Sequence, residues 1–512
     1  MTNSRWAVTR SVQETSRARL LALILLLGSP GALLAQETDP AALSQRGSAL
    51  MAARRYAEAV PVYRDLVKAV PGNAGLLRNL GMALHLSGQD DEAIAPLEAA
   101  LKLDPDSAPA ALFLGASRMS LGRTAAAVAP LQKAVRLQPE NREARSTLAD
   151  ALVILDRHAE AEPHLRRLSR ASPKDPVVWF ALGKTYEALA GQAFGRLLER
   201  DPESALTLAL VAEARLDEGQ TTAAFQLYRR ALERAPSQRG LHAGVAEVYR
   251  RTGHADWAAL EEDKEKSLSK VDCARDALEC AFAAGKHREV LAAASKLETP
   301  VASYWLARSC NALAVEAFAR LTALPPSAPS HEWTASFERN AGRYAESAEE
   351  WRKAIALAPG EPRLKLELAV TLRLNQDLAG AQQVLEGVRR DGFDTPEASY
   401  LLGDVLLARQ QPEPAIPLLE KAVRLEPKLL EAHGALGRAY ALVGRPADAI
   451  PHLERALATD SDGSLRYQLA RSYQAAGRPD DARRALADYE AFRKAAGAGK
   501  EASGQGVEIT PP

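Results

Sequence analysis

The chain has 512 residues, 47% hydrophobic but only 5% aromatic, and its 65 basic and 65 acidic side chains cancel. Without a basic excess there is no electrostatic footprint for nucleic acid, and no long single-sign run offers a tail for polyanions or anionic lipid. Ala and Leu dominate the apolar content, which suits short, closely packed helices, so an all-α chain is expected.

Arg5, Arg10, Arg17 and Arg19 precede an apolar run from Leu20 to Leu27, then Pro30 and small residues ending at Ala35. This order reads as a cleavable signal peptide over 1–35, which places the mature chain in a periplasm or outside the cell. A run of eight is too short for a membrane span, which needs about 20 residues, so no integral membrane segment is expected after removal. No Cys follows Ala35, so lipid modification there is not expected. Removal takes away four basic and one acidic residue and leaves a net charge near −3.

From residue 40 onward the chain is periodic. Pro71, Pro105, Pro139 and Pro173 stand 34 residues apart. In the unit that starts at Ala74, Leu77, Leu80, Gly81, Leu84, Gly88, Ala93, Leu97, Ala100 and Pro105 fall at positions 4, 7, 8, 11, 15, 20, 24, 27 and 32. Positions 4, 7, 8 and 11 make one face of a first helix, and 20, 24 and 27 one face of a second. Small residues at 8 and 20 let the two axes approach, position 15 needs a left-handed residue, and the proline stops the second helix.

On these residues the chain resembles a tetratricopeptide repeat (TPR) protein, whose fold is an α-solenoid, a right-handed superhelix of helix-turn-helix units. Leu114, Gly115, Gly122, Ala127, Leu131 and Ala134 repeat the pattern, as do Leu402, Gly403, Ala415, Leu419 and Ala422. Leu436, Gly437, Tyr440, Gly444, Ala449 and Leu453 form a further unit, and Leu469, Ala470, Tyr473, Gly477 and Ala482 the last. About fourteen units are expected, several degenerate.

Two units lack their turn. "EALAGQAFGRLLERDP" at 187–202 is answered by "NALAVEAFARLTALPP" at 311–326, and in each the second helix arrives five residues early. The expectation is one fused helix in each, about 22 residues or roughly 33 Å long; a tight turn near Gly191 is the alternative. Fused helices would divide the solenoid into blocks 40–200, 201–300 and 301–496, with an irregular charged segment at 259–272. Residues 497–512, rich in Gly, Glu and Ser, read as a disordered tail.

The sequence carries no HExxH, CxxC or GxSxG, and its nine histidines show no metal-ligand spacing, so no catalytic residue, metal or cofactor is expected. Gly183-Lys184-Thr185 imitates the end of a phosphate loop, but Val178 stands where that loop needs Gly. Cys273 and Cys280 are seven apart, and an exported chain permits a bond between them if Cys273 precedes the helix, with Asp272 as a cap. Buried free thiols are the alternative, and Cys310 at core position 11 is expected to be reduced. Trp179 and Trp351 fall on core positions, whereas Trp257, Trp333, Tyr304 and Trp305 are less explained by the repeat.

In TPR proteins first-helix positions 2, 5, 9 and 12 line the concave face, and the resemblance implies a groove for protein or peptide partners. At positions 5 and 9 the C-terminal units supply Tyr400, Asp404, Arg438, Tyr467 and Arg471, where aromatics pack and Arg meets carboxylates. The N-terminal counterparts, among them Ser44, Ser48, Arg78 and Leu112, carry less charge, and the Lys and Asn pattern of carboxylate-clamp TPRs is absent. The expected function is a non-enzymatic exported scaffold, with envelope assembly or secretion as its setting. The alternative is a carbohydrate-associated or enzyme-linked adaptor; the repeats run nearly to the last residue, which leaves no stretch for a catalytic domain.

Overall fold

The structure, a computed structural model, describes residues 39–268, 270–502 and 509–512. The expected signal segment 1–35 lies outside them. The described residues form twenty-six α-helices and one short 3-10 turn. Twelve hairpins and two long helices follow in order, so fourteen units fill the described chain. Contacts separate one unit ending at Ala188 from a second beginning at Leu189.

In the first unit the hairpins begin with α1 (Pro40–Ala52) and α2 (Tyr56–Ala69), then α3 (Ala74–Leu86) and α4 (Asp90–Leu103). Two more follow, α5 (Ala108–Ser120) with α6 (Thr124–Leu137) and α7 (Arg142–Ile154) with α8 (His158–Ala171). The packing unit recurs from repeat to repeat. A Cβ on Gly81 would sit 2.4 Å from Leu97 Cγ, and one on Gly115 2.4 Å from Leu131 Cγ. Only a residue without a side chain lets the two helices of a hairpin close to this distance over a fully buried Leu. The leucine at position 24 thereby packs onto the backbone of position 8.

Position 15 is left-handed whatever residue fills it. Gly88 has φ +80° and Gly122 +71°, but Arg54, Asp156, Gln376 and Gln410 also adopt φ near +60° at the corresponding turns. A side chain there is strained by about 1–2 kcal/mol, offset in part by the entropy a glycine loses. Gln410→Gly is therefore expected to stabilise its repeat by about 0.5–1 kcal/mol, read as a higher denaturation midpoint; an unchanged or lower midpoint would count against the strain.

Both units with a missing turn are single helices, α9 (Pro176–Arg200) and α16 (Pro300–Thr322). A Cβ at Gly191 or Gly195 would meet nothing within 4 Å, so these glycines serve neither a turn nor a close approach. A turnless unit made of helix formers continues as a helix because nothing in it breaks the hydrogen-bond ladder.

The second unit continues with α10 (Ala205–Asp217), α11 (Thr221–Arg234), α12 (Leu241–Arg251) and α13 (Ala255–Ser267), then the short α14 (Ala277–Ala283) and α15 (His287–Ala294). The segment expected to be irregular, 259–272, is helical as far as Ser267. Its charge run hides a buried residue: Glu261 is 4% exposed and accepts from His242 Nδ1 at 2.5 Å and Lys264 Nζ at 2.7 Å. Beyond α16 come α17 (Ala328–Asn340), α18 (Tyr344–Leu357), α19 (Pro362–Leu374), α20 (Leu378–Arg390), α21 (Pro396–Ala408) and α22 (Pro412–Leu425). The last four are α23 (Leu430–Leu442), α24 (Pro446–Ala456), α25 (Ser464–Ala475) and α26 (Pro479–Ala502), so helix extends into the first residues of the tail expected to be disordered.

The histidines, patternless by metal spacing, obey the repeat. Position 4 of a first helix meets position 23 of its second, 19 residues on, in Arg145–His164 at 3.2 Å, His242–Glu261 at 2.5 Å, His331–Glu350 at 2.6 Å and His433–His452 at 2.8 Å. In the last pair both Nδ1 atoms face each other, so one ring must stay neutral to accept. Burial pushes the pKa of His164, His433 and His452 down, assisted by Arg145 at His164, by Arg455 at His433 and by His433 and Arg455 at His452; Glu160, the Pro427 carbonyl, and Asp448 with Glu420 oppose it at the three rings in turn. A folded pKa below the unfolded value of about 6.5 means that the unfolded chain binds protons more readily, so this stability is present above about pH 6.5 and lost as pH falls below it. The thermal midpoint is expected to drop between about pH 7.5 and about pH 5.5, and to drop less in His452→Gln; equal drops would contradict this.

Candidate functional site

The first helices α19, α21, α23 and α25 touch one another in succession, so their shared face forms a continuous inner layer. Along it the sequence places Tyr400 and Asp404 on α21, Arg438 on α23, and Tyr467 and Arg471 on α25. Asp404 is 6% exposed and accepts from Arg438 Nη2 at 2.9 Å, while its other oxygen pairs with Arg373 Nε on α19 at 2.7 Å. One buried carboxylate thus clamps two guanidiniums from the flanking repeats. Asp404 is positioned to hold these arginines, in place of the direct partner contact expected of it.

Arg373 and Arg438 keep 39% and 41% of their side chains exposed, so each offers outward donors while anchored at its base. Among the described residues, the buried Arg438 Nε has no hydrogen-bond partner. Half-buried Tyr400 has its phenol pushed up to about 12 by burial and by the Asp404 carboxylate, so it stays a neutral donor at ordinary pH. Arg373 sits at position 12, one of the groove positions, and that same periodicity is the signal that finds it.

Tyr467 is 43% exposed, its ring is 5.3 Å from that of Tyr489, and the Arg471 guanidinium lies 6.0 Å from its centroid. Together the two give an apolar plate with a cation above it. The neighbouring Arg466 is turned to structure: it bonds the buried carboxylate of Asp460 at 2.8 Å and stacks on Phe492 at 4.6 Å.

Other residues that drew attention in the sequence have packing roles. Trp351 is 1% exposed, Trp305 6%, and Trp333 stacks between Phe318 and Phe337 at 5.4 and 5.7 Å. Gly183, Lys184 and Thr185 lie inside α9, where no loop of free amides forms. Cys273 precedes α14 and is bonded to Cys280 within it, with Cα atoms 5.6 Å apart; Asp272 accepts the Ala274 N–H at 3.0 Å and caps this turn. Cys310 is buried and is not part of this disulfide. Among the described residues no three His, Cys, Asp or Glu side chains group as a metal site, and no helix is long and apolar enough to cross a membrane.

Two tetratricopeptide repeat profiles match the chain, one over residues 44–108, 188–239 and 400–464, the other over 118–185, 339–405 and 441–495. Their longest gap, 240–338, holds the disulfide and the second fused helix. Cellulose synthase operon protein C of Escherichia coli K12 is 54% identical over 50 residues, 10% of this chain and 4% of that protein; a putative counterpart in strain O157:H7 matches equally. This chain therefore spans a small fraction of those relatives. Among solved structures, YrrB, described as a TPR protein with an unusual peptide-binding site, is 19% identical over 33% of this chain and 87% of its own, with a TM-score of 0.28. A thermophilic TPR protein of Thermus thermophilus is 22% identical over 32% of this chain and 90% of its own, also with a TM-score of 0.28.

Proposed function

We propose that this chain, which belongs to the tetratricopeptide repeat family, is a non-enzymatic, exported scaffold that binds a protein or peptide partner on the first-helix face of its C-terminal repeats. The observation that carries this reading is the arginine row on that face, where buried Asp404 anchors Arg373 and Arg438 and leaves their outer donors to solvent. Fixed guanidiniums bind carboxylates with less side-chain entropy to lose than free ones, and the exposed Tyr467–Arg471 plate adds apolar contact. The partner is thus an acidic segment with at least one apolar side chain. Export is supported by the composition of 1–35 and by the Cys273–Cys280 disulfide, which persists in oxidising compartments.

Crosslinking and mass spectrometry in the native host, wild type against a Tyr467→Ala, Arg471→Glu double variant, tests the reading. Tyr467 and Arg471 contact each other at the edge of the last first helix, where Tyr467 is exposed, so the variant removes contact surface without opening the core. A partner lost from the variant is expected; an unchanged set would refute the C-terminal face. A second reading, an adaptor in polysaccharide secretion, rests on the 50-residue match to cellulose synthase operon protein C. It predicts retarded migration of the chain in gels containing a soluble, uncharged cellulose derivative, an effect the acidic-peptide reading does not produce because that polymer offers the arginines no carboxylate.

A further inference from the structure

The last residues of the sequence return to the central hairpins. Tyr249, on α12, donates its hydroxyl to the Thr510 carbonyl at 2.7 Å, across 261 residues of sequence. Its side chain is 0% exposed and sits between Phe225 on α11 at 5.7 Å and Trp257 on α13 at 5.5 Å, and Trp257 in turn stacks on His254 at 4.0 Å. These rings form a row across two hairpins, with a hydroxyl at its middle whose partner is a backbone carbonyl. The segment that meets it is Ile509-Thr510-Pro511-Pro512, in which Ile509 is half-buried.

The chemistry of that segment fits the row. A residue before proline is driven to extended backbone, so Pro511 sets Thr510 and Pro512 sets Pro511. Such polyproline-type backbone has no internal hydrogen bonds and loses little entropy when it docks, so its carbonyls need outside donors and aromatic surfaces suit its flat faces. Tyr249 supplies the donor, and Ile509 is the half-buried side chain of the segment, while Thr510, Pro511 and Pro512 keep exposed side chains. We propose that the Tyr249 hydroxyl, held within the Phe225–Tyr249–Trp257 row, is the docking point for extended segments of the form apolar–polar–Pro–Pro, occupied in cis by residues 509–512, which act as a displaceable strap. The site lies outside the C-terminal arginine row and stands without that reading.

The strap follows the last helix closely: the seven residues from Ala502 to Ile509 reach at most about 25 Å. A tether this short holds its ligand at an effective concentration in the millimolar range, so an external peptide at micromolar concentration competes poorly with it. Loosening the strap must therefore expose the site.

The test uses the full chain and a fluorescein-labelled peptide of residues 503–512, read by fluorescence anisotropy. Ile509→Asp in the chain replaces the half-buried anchor with a charge and frees the strap. The expected result is at least about tenfold tighter peptide binding by Ile509→Asp than by wild type. Adding Tyr249→Phe, which keeps the ring and removes only the hydroxyl, is expected to weaken that binding roughly fivefold. Equal binding by wild type and Ile509→Asp, no loss with Tyr249→Phe, equal binding of a scrambled peptide, or no binding by any form would overturn the proposal. Loss of the acidic partner in the crosslinking experiment leaves all four outcomes unaffected, so the two proposals fail separately.

Discussion

Trp351→Ala is expected to destabilise its repeat by about 3–5 kcal/mol, the range for emptying a buried indole position. Trp351 on α18 is 1% exposed and belongs to a core shared with Leu364, Leu368 and Leu385, so the cavity cannot be filled without moving neighbouring helices. Its indole N–H has no hydrogen-bond partner among the described residues, and Arg339 lies 5.8 Å from the ring. Phenylalanine should therefore recover most of the loss, since no hydrogen bond disappears with the nitrogen. A midpoint reports the size of the loss but not its place, and in a repeat array the loss is confined to the neighbouring repeats, so exchange residue by residue locates it. Amide exchange should accelerate in residues 344–374 while 40–137 is unchanged. A uniform acceleration along the chain would contradict the local packing described here.

Gly403→Val is expected to cost about 3 kcal/mol, the upper end for overpacking, because its Cβ alone would lie 2.6 Å from Leu419 Cγ. Leu419 is 0% exposed and cannot swing away, so α21 and α22 must separate. The same geometry recurs at Gly437, where a Cβ would meet Leu453 Cγ at 2.6 Å. Gly191→Ala supplies the opposite sign: its Cβ meets nothing within 4 Å, and alanine in a helix interior is favoured by about 0.8–1 kcal/mol. Denaturant midpoints that fall for Gly403→Val and rise for Gly191→Ala would distinguish a glycine required by close approach from one that is merely tolerated. Equal effects would mean that the position-8 glycine is not a packing device.

These contrasts show what a sequence of this kind can tell. The hairpins and the two fused helices were legible because each depends on local facts, the spacing of small and apolar residues and the five residues of spacing missing before Pro202 and Pro326. The face bearing Tyr400, Arg438, Tyr467 and Arg471 follows from the same periodicity. What escaped is what depends on pairing between repeats or on distant chain. Asp404 looked like a contact residue because its position faces inward, but two arginines supplied by neighbouring repeats cover it. Glu261 lies in the charged segment that read as irregular, yet its partner His242 lies 19 residues upstream, a spacing outside the metal motifs by which the histidines were judged. The meeting of Thr510 with Tyr249 has no local signal, since a polar tail by composition alone gives no reason to dock.

Site-specific photocrosslinking in the native host reports which face of the C-terminal repeats the partner touches. A benzophenone side chain in place of Tyr467 should yield a discrete adduct with one partner, and that adduct should disappear when Arg471→Glu is added, because the cation beside the ring is part of the same contact. The same label in place of Leu425, which is 52% exposed on the second-helix side, should yield none. An adduct at 425 but not at 467, or one at 467 indifferent to Arg471→Glu, would contradict the assignment of the partner to the first-helix face.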